Sequence, residues 1–132
     1  MRRVIAFGLV LAAVGCQAAA QRAVIQPLPE DSAPLPFTDL VSRARLQAMT
    51  ALEAYYVDRW AEVEDAARGL DQTARFLRRA TDVPTYRQGD LGVRAEALAE
   101  ASKQLREAAK ARASEQVNTV LQRINAAVRE LR

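Results

Sequence analysis

The chain contains no histidine and a single cysteine, Cys16. The first absence excludes a Ser-His-Asp triad, a Cys-His pair and the carboxylate-histidine di-iron set of metal-binding bundles. It also removes the usual zinc sites. The second excludes an intramolecular disulfide, because a lone thiol has no partner within the chain. Aromatic residues make up only 5% of the sequence. There is no Gly-rich phosphate loop; Gly89 and Gly92 stand in a turn and a helix start. Glycine and proline are few, five of each, and apart from Gly69 they lie outside the interiors of the periodic segments. Ala, Leu, Arg, Glu and Gln dominate instead, and these favour helices. The expected fold class is all-α, and 132 residues give room for one domain.

The formal charge is +3, from 19 basic and 16 acidic residues. Arg2 and Arg3 belong to the N-terminal segment discussed next, and without them the balance is nearly neutral. Basic and acidic residues are interleaved rather than gathered in runs. No aromatic and basic platform for single-stranded nucleic acid is present. No nucleic-acid partner is therefore expected.

Residues 1 to 15 read "MRRVIAFGLVLAAVG". Two arginines precede an apolar run, Val4 to Val14, and small residues follow it, the pattern of a secretory signal peptide. The run is shorter than the roughly 20 residues needed to cross a bilayer as a helix. Ala13, Val14, Gly15 and Cys16 then resemble the lipobox of bacterial lipoproteins, with Ala13 standing where that family usually has Leu. The resemblance implies a diacylglycerol on the Cys16 thiol, with Cys16 as the first mature residue. Gln17, in place of Asp, points within that scheme to the outer membrane. A competing site, Ala18-Ala19-Ala20, satisfies the small-x-small rule of ordinary signal peptidase and would release a soluble periplasmic product.

Residues 16 to 36 hold the anchor cysteine and a Pro-rich stretch. Pro27, Pro29, Pro34 and Pro36 lack amide hydrogens and bias their predecessors away from the α region. Residues 17 to 36 are expected to form an extended, flexible linker, reaching on the order of 60 Å if fully stretched.

From Phe37 to Arg132 the apolar residues recur at steps of three and four. Phe37, Val41, Ala44, Ala48, Ala51 and Tyr55 form one face, and Trp60, Val63, Ala67, Leu70, Ala74 and Leu77 a second. Their phases do not join, so a turn is expected near Val57 to Arg59, with one long bent helix as the alternative. Pro84 and Gly89 punctuate the chain before Leu91, Ala95, Leu98, Ala101, Leu105 and Ala108. Val117, Leu121, Ile124, Val128 and Leu131 make the last face. Thr38, Asp58, Asp90 and Ser114 are N-cap candidates. Four amphipathic helices joined mostly by short turns predict an antiparallel four-helix bundle. Its many alanines predict a thin core, which a homodimer or another partner would help to cover.

Glu62, Glu64 and Asp65, with Glu96 and Glu100, are the carboxylate groups nearest to a cation site or an acid-base pair. At helical spacing they read first as solvated faces, with Glu64–Arg68 and Asp71–Arg75 pairs at i,i+4. No metal, cofactor or catalytic residue is assigned. Tyr55, Tyr56 and Trp60 at the first corner, and Arg75, Arg78 and Arg79 at the end of the second helix, are the candidate partner contacts. The exported helical plan, with "YYVDRWAEVEDAARGL" at its first corner, is similar to periplasmic cytochrome c-prime bundles. The stretch "VNTVLQRINAAVRELR" lacks the Cys-x-x-Cys-His that holds haem in that family, so the resemblance implies a haem-less relative. A second comparison is the small lipoprotein that ties outer membrane to cell wall, a long heptad coil ending in lysine. Breaks at Asp58, Pro84 and Ser114 and a final Arg132 depart from it.

The function expected from the sequence is a non-enzymatic, lipid-anchored envelope protein that presents a helical bundle to another envelope protein. The alternative is a soluble periplasmic bundle that binds a small ligand or a metal ion.

Overall fold

The computed structural model describes residues 26–132. The signal segment, the cleavage sites, Cys16 and the first half of the expected linker lie outside the described residues. Within them all regular structure is helical: α1 Phe37–Tyr56, α2 Trp60–Leu77, α3 Thr85–Gln88, α4 Leu91–Lys110 and α5 Ser114–Glu130. The all-α expectation holds. One isolated parallel bridge, Pro36 to Thr81, is the sole extended pairing among the described residues.

Residues 37–80 form two helices, not one bent helix. Asp58 adopts a left-handed φ of 57°. The Asp58 amide donates to the Tyr55 carbonyl at 3.2 Å and the Arg59 amide to the Ala54 carbonyl at 2.9 Å. That 5→2 and 6→1 pair is a Schellman closure, which satisfies the last carbonyls of α1. The same closure ends α4, with Arg112 at φ 51° and Ala113 donating to the Ala108 carbonyl at 3.0 Å. Glycine usually fills this position because a Cβ there costs about 1–2 kcal/mol. Arg112 is exposed, and its side chain makes no hydrogen bond or ion pair among the described residues. Arg112→Gly is expected to raise stability by about 0.5–1 kcal/mol, net of glycine's extra unfolded-state entropy, measured as a higher urea midpoint with unchanged slope.

The N-termini differ from the expected caps. Pro36, Arg59 and Ala113 occupy the cap positions of α1, α2 and α5, without side-chain cap bonds. Thr38 and Ser114 lie inside their helices, and Asp58 belongs to the preceding closure. Asp90 does hold the cap position of α4, but its carboxylate is drawn away to Arg94. The Pro84–Gly89 interruption, expected as a turn, contains the single-turn helix α3.

The long helices pack in a bundle-like arrangement. α2 lies against α1 and α4, and α5 against α4 and α1, with α2–α4 the broadest contact and α1–α5 the slightest. Leu40, Leu70, Leu77, Leu98, Leu105 and Ile124 are fully buried. Each contributes about 1.5–3 kcal/mol, whereas the alanines between them chiefly let the helix axes approach. Phe76, absent from the expected α2 face, is also buried.

The core contains polar groups that periodicity did not reveal. Gln47 of α1 is fully buried, and its Oε1 accepts a bond from the Thr73 hydroxyl at 2.8 Å. Gly69 makes room for it: a Cβ at Gly69 would stand 2.7 Å from Gln47 Nε2. Ser102 is satisfied by the Leu98 carbonyl at 2.7 Å.

The expected linker is fastened over nearly its last half, from Leu28 onward. The Leu28 amide donates to Gln72 Oε1 at 2.8 Å, and Gln72 Nε2 donates to the Leu28 carbonyl at 2.7 Å. A side-chain amide thus pairs with the backbone as a neighbouring strand would. The Phe37 amide donates to the Thr81 carbonyl, and the Thr81 amide to that of Leu35. The prolines keep this segment out of a helix, with one turn closed by the Ser32 amide on the Pro29 carbonyl, which leaves other backbone groups available to α2. The flexible-linker expectation does not describe residues 28–36.

Candidate interaction groove between α1 and α5

The sequence-predicted contact residues fall at two separate places. At the first corner, the Tyr55 ring lies 5.7 Å from Tyr56 and meets Trp60 edge-on at 6.0 Å. The Tyr55 hydroxyl reaches Ser114 at the start of α5, 2.9 Å from Oγ and 3.2 Å from the carbonyl. Tyr55 and Trp60 are partly buried against the core, so they tie α1 to its neighbours. Tyr56 is the member that faces solvent, at 72% exposure.

The arginines are occupied within the fold. Arg75 pairs with Glu30 at 3.3 Å and Asp71 at 3.8 Å, and Arg78 pairs with Glu96 at 2.8 Å. Arg79 lies 4.2 Å over the Phe76 ring and donates to the Glu30 carbonyl. Arg75 and Arg79 therefore hold the N-terminal segment on α2. The carboxylates are likewise spoken for: Glu62 meets Arg59, Glu64 and Asp65 meet Arg68, and Glu100 accepts from Gln104. Among the described residues no group of three or more potential metal ligands gathers. No helix among them is long and apolar enough to cross a membrane.

One end of the molecule carries a charge network. Asp90 accepts from Arg94 Nε at 2.5 Å and Arg87 at 3.4 Å, and Arg94 continues to Glu130 of α5 at 3.0 Å. Arg87 also donates to the Arg132 carbonyl. The hydrogen bond from Arg94 holds the Asp90 carboxyl below the usual carboxylate range, and in return Asp90 raises the pKa of Arg94.

Two grooves remain. One, of about 660 Å³, lies between α2 and α4 beside the fastened segment. Glu30–Arg75, Asp71–Arg75 and Asp65–Arg68 pair most of its charges, while Lys103 and Arg106 on its α4 side make no ion pair among the described residues. The other, of about 670 Å³, runs between α1 and α5. Val41, Ala48, Met49, Leu52 and Val128 give it an apolar floor, Gln122 and Asn125 add neutral polar groups, and Arg45, Arg129 and Arg132 give it a basic edge. No Asp or Glu side chain lines it. Those three guanidiniums make no ion pair or hydrogen bond among the described residues. Met49 is 47% exposed, large for an apolar side chain beside a core. The groove exists because α1 turns its alanine face to α2, leaving Val41, Arg45, Met49 and Leu52 along the less intimate α5 boundary. Guanidiniums at an apolar edge suit carboxylate or phosphate groups.

The helix-face pattern in the sequence does not mark Met49, Leu52, Arg45, Arg129 or Arg132 as contact residues. The available signal was the absence of any acidic residue three or four positions from Arg45. Comparison with protein-family models, with characterised proteins and with solved structures gives no match to this chain.

Proposed function

We propose that this chain is an exported envelope protein, anchored by a lipid on Cys16, that acts by binding and not by catalysis. Its binding module is read as an antiparallel four-helix bundle, with α3 as a connector. The junctions favour that reading: Tyr55 at the end of α1 meets Ser114 at the start of α5, and Arg94 near the start of α4 meets Glu130 at the end of α5. The anchor follows from the "AAVGC" stretch, and Gln17 favours the outer membrane. A haem-less relationship to cytochrome c-prime bundles belongs to the same reading.

The observation that carries the binding role is the α1–α5 groove, apolar within and edged by arginines that nothing inside the fold neutralises. Tyr56, exposed beyond the Leu52 end, extends it toward the first corner.

The intact mass of the protein extracted from bacterial membranes tests the anchor. A mass beginning at Cys16 with a diacylglycerol attached is expected. A mass beginning at Gln21 with nothing attached overturns the anchor and favours a soluble periplasmic binder of small ligands.

A further inference from the structure

We infer that the α1–α5 groove receives an amphipathic helix of a partner protein, apolar toward the groove and acidic along the edge that meets Arg45, Arg129 and Arg132. The inference rests on the binding-module reading above and names the chemistry of the partner.

Length comes first. Val41 to Leu52 covers eleven residue steps of α1, about 16 Å, or three helical turns. Apolar anchors at i, i+4 and i+7 of a docked helix span about 10 Å and fit within that length.

Openness comes second. The groove is a trough on the surface, with Met49 of its lining 47% exposed. An acyl chain laid in it would leave its outer half in water. A helix with one apolar stripe turns a polar face outward, so both sides are satisfied.

Charge comes third. Glu130, between Arg129 and Arg132 in sequence, is taken by Arg94 of α4, so the basic edge is not neutralised from within. Acidic side chains on the incoming helix would pair with the guanidiniums at the rim of a desolvated contact. A second copy of this chain, docked groove to groove, would set like charges opposite one another. Met49 adds adaptability, since a thioether side chain fits varied apolar partners.

The test uses the full protein in zwitterionic phosphatidylcholine nanodiscs and fluorescein-labelled peptides of about 14 residues, four turns long. One peptide carries leucines at i, i+4 and i+7 flanked by glutamates, and the other has the same leucines flanked by lysines. Fluorescence anisotropy is expected to show the acidic peptide binding at least tenfold more tightly, with affinity falling as salt rises. The double variant Arg45→Glu, Arg129→Glu, changed at exposed positions, is expected to reverse the preference. Met49→Glu is expected to weaken the acidic peptide at least tenfold.

Equal affinity for both peptides, or a preference that survives the charge reversal, overturns the inference. So does the absence of binding up to about 1 mM. Binding of laurate without binding of the acidic peptide assigns the groove to an acyl chain and also overturns it. The mass measurement separates the two levels. Peptide failure with an acylated Cys16 leaves an envelope protein with a different contact surface. Charge-selective binding with an unacylated chain keeps the groove and removes the anchor.

Discussion

Gly69→Ala is expected to destabilise the protein by about 1–2 kcal/mol, the balance of two opposed effects. In an unobstructed helix the change would stabilise by about 0.5–1 kcal/mol, because alanine loses less backbone entropy. Here the new Cβ would stand 2.7 Å from Gln47 Nε2 and 3.2 Å from Cδ. Gln47 is fully buried and bonded to Thr73, so its amide has little room to swing away. Overpacking of this kind costs about 1–3 kcal/mol and outweighs the helix gain. Gln47→Ala alone is expected to cost about 2–4 kcal/mol, from the emptied volume and the lost acceptor of Thr73. The informative variant is the pair. In the Gln47→Ala background the obstruction is gone, so Gly69→Ala should reverse sign and stabilise by about 0.5–1 kcal/mol. Urea melts of the four proteins measure this cycle. The same sign in both backgrounds would remove the contact as the reason for Gly69.

Phe76→Ala is expected to cost about 3–5 kcal/mol, the range for deleting a buried aromatic ring. Phe76 is the largest of the fully buried side chains, in a core otherwise built mainly of leucine, valine and alanine, with Phe37 and Ile124. Alanines cannot reach into the vacated space, so the cavity would persist. The loss also reaches the surface, because Arg79 rests on the ring and donates to the Glu30 carbonyl. Phe76→Leu keeps most of the apolar volume and should lose clearly less. Thermal or urea unfolding decides it, and a loss below about 1 kcal/mol for the alanine variant would mean the ring is not what fills this region.

Helix faces were legible because burial obeys the 3.6-residue period. All of Leu91, Ala95, Leu98, Ala101, Leu105 and Ala108 are buried, as are Val117, Leu121, Ile124, Val128 and Leu131. Other features escaped because their causes are not periodic. The turn at Asp58 was placed correctly, yet its mechanism carries no glycine mark, and Arg112 ends α4 the same way. Gln47 and Thr73 read as polar surface until Gly69 is seen to open space between α1 and α2. The Gln72–Leu28 pairing spans 44 positions and follows from no local rule. Of the predicted contact residues, the arginines proved to serve internal pairing. The unneutralised ones, Arg45, Arg129 and Arg132, are brought together only by the packing of α5 on α1.

The two-bond grip of Gln72 on Leu28 also decides where a mechanical load enters the domain. A pull arriving along the chain from its N-terminal side meets α2 at Gln72, Arg75 and Arg79 before it reaches Phe37. Force is then shared among several side-chain bonds along the C-terminal part of α2 and just beyond it, and the first turn of α1 is shielded from unwinding. Those bonds can give way one after another, leaving the helices intact while the segment lengthens, so the segment behaves as a sacrificial clasp between the domain and whatever holds its leading end.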